Sequence, residues 1–233
     1  MILLREFYLG ITCITAVLYV VFFKKRHRYY WLITTYFIVN ACLVIIIYIM
    51  PDIFKLLNNF TMEVYFKSMA LVDFAFWCMV YFATINNKFI RKLILLSMSL
   101  FIVGSVMRAF IHFSSVDVLM DSIKSVLLII WSLFFIRETV ILQKETRLQL
   151  YPMFWISMGL LFFYVGRLLS IFAHNYLNIY ASYIASYPNT IREDVFVMYS
   201  IFPLIFYLLC IVGALCQVVF KNKSDILISK NVL

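Results

Sequence analysis

The sequence predicts an all-α membrane protein built as a bundle of seven transmembrane helices, and composition together with the distribution of apolar residues supports this. Of 233 residues, 65% are hydrophobic and only 13% are charged, and the mean hydropathy is +0.99. An ordinary soluble domain is about 45–50% apolar and about 25% charged. The apolar residues form long continuous runs, which favours helices over the alternating strands of a membrane barrel.

Seven segments are apolar over the roughly 20 residues that a transmembrane helix needs. We place the spans at residues 6–23, 30–49, 63–85, 93–112, 117–137, 152–173 and 193–220. The basic run Lys24–Arg28 follows the first span directly, which is typical of a retained span and not of a cleaved signal peptide. Pro152 is expected to begin the sixth helix, and Pro203 is expected to kink the seventh.

The distribution of Lys and Arg predicts the orientation of the chain, because basic residues collect in short cytoplasmic loops. Thirteen of the 20 basic residues fall on one side of the predicted membrane and three, Arg5, Lys55 and Arg192, on the other. The N-terminus is therefore predicted outside and the C-terminus in the cytoplasm. Residues 1–220 are predicted to form a single transmembrane domain, followed by a short cytoplasmic tail, 221–233.

Ionisable side chains within the spans are the strongest functional signal, since such groups are costly in a membrane and usually face the bundle interior or water. The candidate ligand-binding residues lie on the third to sixth spans, in the outer half or near the middle: Lys67, Asp73, Arg108, Lys124 and Arg167. One interpretation is structural pairing of the cations with Glu63, Asp73, Asp117 and Asp121. Others are an outward-open pocket for an anionic ligand or lipid headgroup, and a conduction path through Asp73.

Two features near the sixth span predict local structure. Tyr176, Tyr180, Tyr183 and Tyr187 recur at helical spacing in the predicted outer loop, 174–192, which indicates either an interfacial helix or a lid over an outer cavity. Within the span, small side chains are expected to let a neighbouring helix approach closely. These small residues are Gly159, Gly166, Ser170 and Ala173.

Motifs for catalysis, metals and cofactors are missing from the sequence. It has no HExxH, GxSxG or Walker-type motif, and its five cysteines lie in apolar runs without metal-ligand spacing. A retinal Schiff base needs a lysine in the seventh span, and residues 195–220 contain none. His112 and His174, at outer span ends, allow a bis-His haem, but helix capping is the commoner role for such histidines. We therefore predict a protein without enzymatic activity, metal or cofactor.

Two stretches resemble an uncharacterised family of bacterial seven-helix integral membrane proteins. The first contains Asn58-Asn59, Tyr65, Asp73-Phe74 and Asn86-Asn87-Lys88, and the second contains Phe154-Trp155-Ile156, Gly159, Leu160, Tyr164 and Gly166. The family more often has Glu at the position of Asp73. The resemblance implies a multi-pass protein of the bacterial inner membrane and, as a partner, a sensor kinase.

These observations lead to three functional hypotheses. The first is a non-enzymatic sensor or receptor-like subunit that binds a small anionic ligand or lipid from outside and signals through a separate protein. The second is a transporter or channel that uses Asp73 in a polar path. The third is a structural or membrane-acting effector subunit whose charges only pair internally.

Overall fold

The structure, a computed structural model, describes residues 2–23, 28–49, 59–111, 118–142, 151–183 and 201–216. Over these residues the chain is all-helical and forms seven helices. They are α1 Ile2–Phe23, α2 Arg28–Ile49, α3 Asn59–Thr84, α4 Lys88–Ile111, α5 Val118–Leu142, α6 Pro152–Tyr183 and α7 Ile201–Cys216. The predicted all-α class and the start of the sixth helix at Pro152 are confirmed.

Three helices are long and apolar enough to cross a membrane by length and composition alone, which suggests a membrane protein. They are the segments Lys88–Arg108 of α4, Val118–Ile141 of α5 and Pro152–Ala173 of α6. Within the described ranges, the other four helices carry apolar stretches of 10–17 residues. The predicted single domain and its tail remain predictions, since residues 217–233 lie outside the described ranges.

Helices that follow one another in the sequence pack together, and α7 packs against several of them. Contacts join α1 with α2, α2 with α3, α3 with α4 and α5, α4 with α5, and α5 with α6. Aromatic rings attach α7 to this group, because Phe206 lies near Phe37 of α2 and Phe163 of α6, and Tyr207 meets Tyr8 of α1 edge to face. An aromatic cluster therefore packs α7 against helices that are far from it in the sequence.

The small residues of α6 allow the close contact that the sequence predicts. A Cβ atom at Gly159 would lie 3.0 Å from the Phe206 ring and 3.2 Å from the Phe206 carbonyl oxygen. A Cβ atom at Gly166 would overlap the Phe202 ring. Because both contacts are with α7, the glycines of α6 make room for the aromatic side chains of that helix.

Two helices extend past their predicted ends. α6 ends at Tyr183 instead of residue 173, so residues 174–183 continue this helix and are not part of a loop. No Gly or Pro occurs between Gly166 and Pro188, so nothing in the sequence breaks the helix there. α5 likewise continues past residue 137, the predicted end of its span, to Leu142.

Other local predictions fall outside the described residues. They concern residues 193–200, the part of the predicted seventh span that precedes the described part of α7. Pro203 itself is the third described residue of α7. The kink predicted there therefore stays a prediction.

Candidate functional site

Asp73 of α3 lies where three other helices converge. Its carboxylate accepts a hydrogen bond from the Tyr36 hydroxyl of α2 and one from the Tyr164 hydroxyl of α6, each at 2.8 Å. The Lys124 Nζ of α5 donates to the same carboxylate at 3.5 Å. Asp73 thus links α3 to α2, α5 and α6 through polar contacts. Its three hydrogen-bond donors offset the free-energy cost of placing a carboxylate among apolar helices.

Lys124 is the most deeply buried charge that the structure describes. Its side chain is 2% exposed, and its Nζ lies 3.5 Å from Asp73 Oδ2 and 3.6 Å from Asp121 Oδ1. Asp121 is one turn earlier on the same helix, at the i,i+3 spacing that brings two side chains onto one face. A buried ammonium is tolerable only when it is paired, and here two carboxylates flank it.

Arg167 of α6 extends the row of charges. Its Nη2 donates to Asp121 Oδ2 at 2.9 Å, and its side chain is 32% exposed. Asp73, Lys124, Asp121 and Arg167 therefore alternate in sign across three helices and sum to zero formal charge. We call these four residues the charged layer.

A cavity of about 300 Å³ adjoins the charged layer. Among the described residues, six of the seven helices line it, and α4 is the exception. Asp73, Lys124 and Arg167 line the cavity, whereas Asp121 does not. Aromatic side chains supply much of the remaining wall: Tyr8, Tyr36, Trp77, Phe163, Tyr164, Phe206 and Tyr207. The charged groups that face the cavity are thus two cations and one carboxylate.

A second set of polar residues lies on the same three helices. The Tyr81 hydroxyl of α3 is 2.7 Å from Ser132 Oγ of α5 and 3.4 Å from Ser157 Oγ of α6. We call Tyr81, Ser132 and Ser157 the hydroxyl layer. Each is seven or eight residues along its helix from a member of the charged layer or from Tyr164, which is about 11–12 Å.

Apolar side chains separate the two polar layers. Trp77 of α3, Leu128 of α5 and Leu160 of α6 occupy the intervening helical turn on their respective helices. All three are buried, with exposed fractions of 1% or less. In this structure the cavity is therefore separated from the hydroxyl layer by packed apolar groups.

The structure brings three of the predicted ligand-binding residues together and places a fourth elsewhere. Asp73, Lys124 and Arg167 line the cavity, but the described residues that line it do not include Arg108, which lies on α4. The backbone of Lys67 belongs to α3, and its side chain lies outside the described part of the structure. Asp121 pairs with Lys124, as the structural interpretation requires. Asp117 lies outside the described residues, and of Glu63 only the backbone, in α3, is described.

The structure describes only part of the row of tyrosines that the sequence predicts as a lid or an interfacial helix. Tyr176, Tyr180 and Tyr183 belong to the backbone of α6, with side chains outside the described part, and Tyr187 lies outside it altogether. Their role stays a prediction, although a helix continuous with α6 replaces the separate segment that we expected.

Sequence reasoning missed Tyr36 and Tyr164, the two hydroxyl donors to Asp73. Both lie in apolar spans, where 16 tyrosines in the chain make any one of them inconspicuous. Chemistry offers the signal that could have identified these two tyrosines. A buried tyrosine hydroxyl usually has a hydrogen-bond partner, and Asp73 is one of few acceptors at this depth.

No set of three or more His, Cys, Asp or Glu side chains that could hold a metal occurs among the described residues. Comparison with protein families, curated proteins and solved structures finds no match to this chain. The resemblance to a bacterial seven-helix family therefore stays a prediction. The geometry of the cavity and the charged layer is what bears on function.

Proposed function

We propose that the chain is a multi-pass protein of the bacterial inner membrane with seven spans, an outer N-terminus and a cytoplasmic C-terminus. In this proposal it is a non-enzymatic sensor or receptor-like subunit that binds a small anionic ligand or lipid headgroup and signals through a separate partner such as a sensor kinase. The observation that carries the proposal is the 300 Å³ cavity lined by Asp73, Lys124 and Arg167. Its volume is at the lower end of the range for small-molecule sites.

Arg167 is the residue best suited to receive an anion. Its guanidinium has five N–H donors, of which Nη2 bonds Asp121. About a third of its side chain is exposed, and the residue lines the cavity. Lys124, by contrast, is already held between two carboxylates. An anionic group beside Arg167 gains charge-assisted hydrogen bonds without first separating Lys124 from its partners.

A ligand in this cavity is also well placed to change the arrangement of helices. It would contact side chains from α1, α2, α3, α5, α6 and α7, which meet around the cavity. A ligand shifts a conformational equilibrium only if it binds one arrangement better than another. The charged layer supplies such a difference, because Asp121 and an anionic ligand are both attracted to Arg167 while they repel each other.

Two other functions have support from particular observations. The complete pairing of Lys124 and Arg167 with carboxylates supports a structural subunit. The hydroxyl layer beyond the cavity supports a transporter or channel that uses Asp73, although Trp77, Leu128 and Leu160 separate the layers. A purely structural subunit does not account for the cavity that Arg167 lines.

Ligand binding to the purified full chain in nanodiscs of neutral phosphatidylcholine tests the proposal. The probes are glycerol phosphate and oleoyl lysophosphatidate, which carry the same anionic group without and with a hydrocarbon chain. Arg167→Gln is expected to weaken binding about tenfold or more, since it removes a charged hydrogen-bond donor. Arg137→Gln, at an exposed position of α5 away from the described cavity lining, is the matched control and should bind as the unmodified chain does.

Two results would contradict the proposal. One is that neither probe binds, and the other is that binding is equal in Arg167→Gln and in the control. Flux of ions through liposomes containing the protein, abolished by Asp73→Asn, would instead favour the transporter or channel.

A further inference from the structure

The exposed residues among those that line the cavity belong to α2 and α3, which places its opening between these two helices. Val39 of α2 and Val72 of α3 both line it, and they are 51% and 60% exposed. Leu43, four residues after Val39 on α2, and Met69, three residues before Val72 on α3, also line the cavity. We call Val39, Leu43, Met69 and Val72 the mouth of the cavity.

The mouth and the interior of the cavity differ in chemistry. The four side chains that define the mouth are apolar and the adjacent lining residue Asn40 adds one neutral amide, whereas the charged groups of the lining belong to Asp73, Lys124 and Arg167. An opening used by a water-soluble anion is expected to carry polar groups that replace its hydration shell. An apolar mouth beside a charged interior matches a ligand that is itself apolar at one end and charged at the other.

We infer that the ligand is an amphiphile with a single anionic head, which reaches the cavity from the bilayer through the mouth between α2 and α3. This inference rests on the proposed function, because it requires that the mouth faces lipid. The head lies beside Arg167, and the hydrocarbon chain lies against Val39 and Val72. A cavity of about 300 Å³ holds a compact head and leaves the chain in the lipid.

The arrangement of donors inside the cavity explains why the head is anionic. Asp73 is occupied by Tyr36, Tyr164 and Lys124, so it has little capacity left to neutralise a cationic head. Among the described residues, Asp121 is the acceptor that Arg167 bonds, through Nη2, which leaves other N–H groups of its guanidinium for a ligand. A head that carries both charges, such as phosphocholine, would bring its cation into a cavity whose lining already has more cations than carboxylates.

The probes used for the proposed function also test this inference when they are compared with each other in the same nanodiscs. Specific binding is taken as the difference between the unmodified chain and Arg167→Gln, which removes the contribution of lysophosphatidate dissolved in the lipid. Oleoyl lysophosphatidate is expected to bind about 100-fold tighter than glycerol phosphate, because its chain holds it in the bilayer beside the mouth. Lysophosphatidylcholine is expected to bind about tenfold or more weakly than lysophosphatidate.

Variants that fill the mouth test the entry route of the ligand independently of the recognition of its anionic head. Val39→Trp and Val72→Trp place a large side chain at an exposed position and are expected to lower lysophosphatidate binding about tenfold, with glycerol phosphate unchanged. Met79→Trp is the matched control, since Met79 is 52% exposed on α3 and is not among the described residues that line the cavity. Thermal unfolding of each variant in detergent establishes that it is folded.

The outcomes distinguish the inference from the proposed function. Equal affinity for the two anionic probes, or mouth variants that bind lysophosphatidate as the control does, overturns the amphiphile or its lateral route. Equal binding of lysophosphatidylcholine overturns the anionic head. In each of these cases a loss of binding in Arg167→Gln still supports the proposed function, whereas an unchanged Arg167→Gln overturns both.

Discussion

The charged layer and the hydroxyl layer occupy the same three helices and yet differ in what they can do. Tyr81, Ser132 and Ser157 are fully buried neutral groups that contact one another. In the charged layer, Asp73, Asp121 and Arg167 keep 21–32% of their side chains exposed, and a cavity adjoins them. Polar residues within a helix bundle therefore do not mark a binding site by themselves. Exposure and spare donors distinguish the charged layer from polar groups that only pack.

Removing the central charge is expected to have the largest effect on stability. Lys124→Ala leaves Asp73 and Asp121 without the cation between them, so the free energy of unfolding should fall by about 3–5 kcal/mol. Chemical or thermal unfolding of the purified protein in detergent measures the loss. Lys92→Ala, at an exposed position of α4, should change stability by less than about 1 kcal/mol.

A second variant tests the role of Lys124 even if Lys124→Ala does not fold. Lys124→Met combined with Asp73→Asn removes one charge of each sign, and it should recover part of the stability lost by Lys124→Met alone. If the free energy of unfolding lost in the double variant equals the sum of the losses in the two single variants, Asp73 and Lys124 do not stabilise each other.

Asp121→Asn is expected to have an intermediate effect. Lys124 keeps Asp73 as a partner, and Arg167 is partly exposed, so the expected loss is about 1–3 kcal/mol. Since this change also releases Arg167 from its carboxylate, lysophosphatidate should bind more tightly, as titration in nanodiscs would reveal. Weaker binding would contradict the competition between Asp121 and the ligand.

The hydroxyl layer is expected to contribute least. Tyr81→Phe keeps the ring and removes one hydroxyl, while Ser132 retains its bond to the Leu128 carbonyl at 2.7 Å. The free energy of unfolding should fall by about 1 kcal/mol. Binding of either anionic probe should remain unchanged, and a tenfold loss would show that the two layers are coupled through Trp77 and Leu128.

The sequence predicted more of the helices than of the site. Apolar runs located all seven helices, because backbone hydrogen bonds within a helix are local and the cost of burying polar groups excludes most other structures in lipid. Helix ends were less certain, as α6 shows by continuing to Tyr183 where no residue breaks it. Asp73, Lys124 and Arg167 stood out because charges are rare in apolar spans.

The remaining features of the site depend on contacts between segments that are far apart in the sequence. Tyr36 and Tyr164 are 128 positions apart, and both donate to Asp73, a convergence that no local pattern announces. Arg108 carries the same charge as Arg167 and was also predicted in the outer half of its span, but it lies on α4, which does not line the cavity among the described residues.

The sequence by itself determined which segments are helical and which of them carry charge, because both depend on residues close together in the chain. The tertiary structure alone decided which charges meet, which face a cavity and where that cavity opens. Those properties depend on how seven helices pack, and packing is set by the shapes of side chains such as Gly166 and Phe202 on different helices.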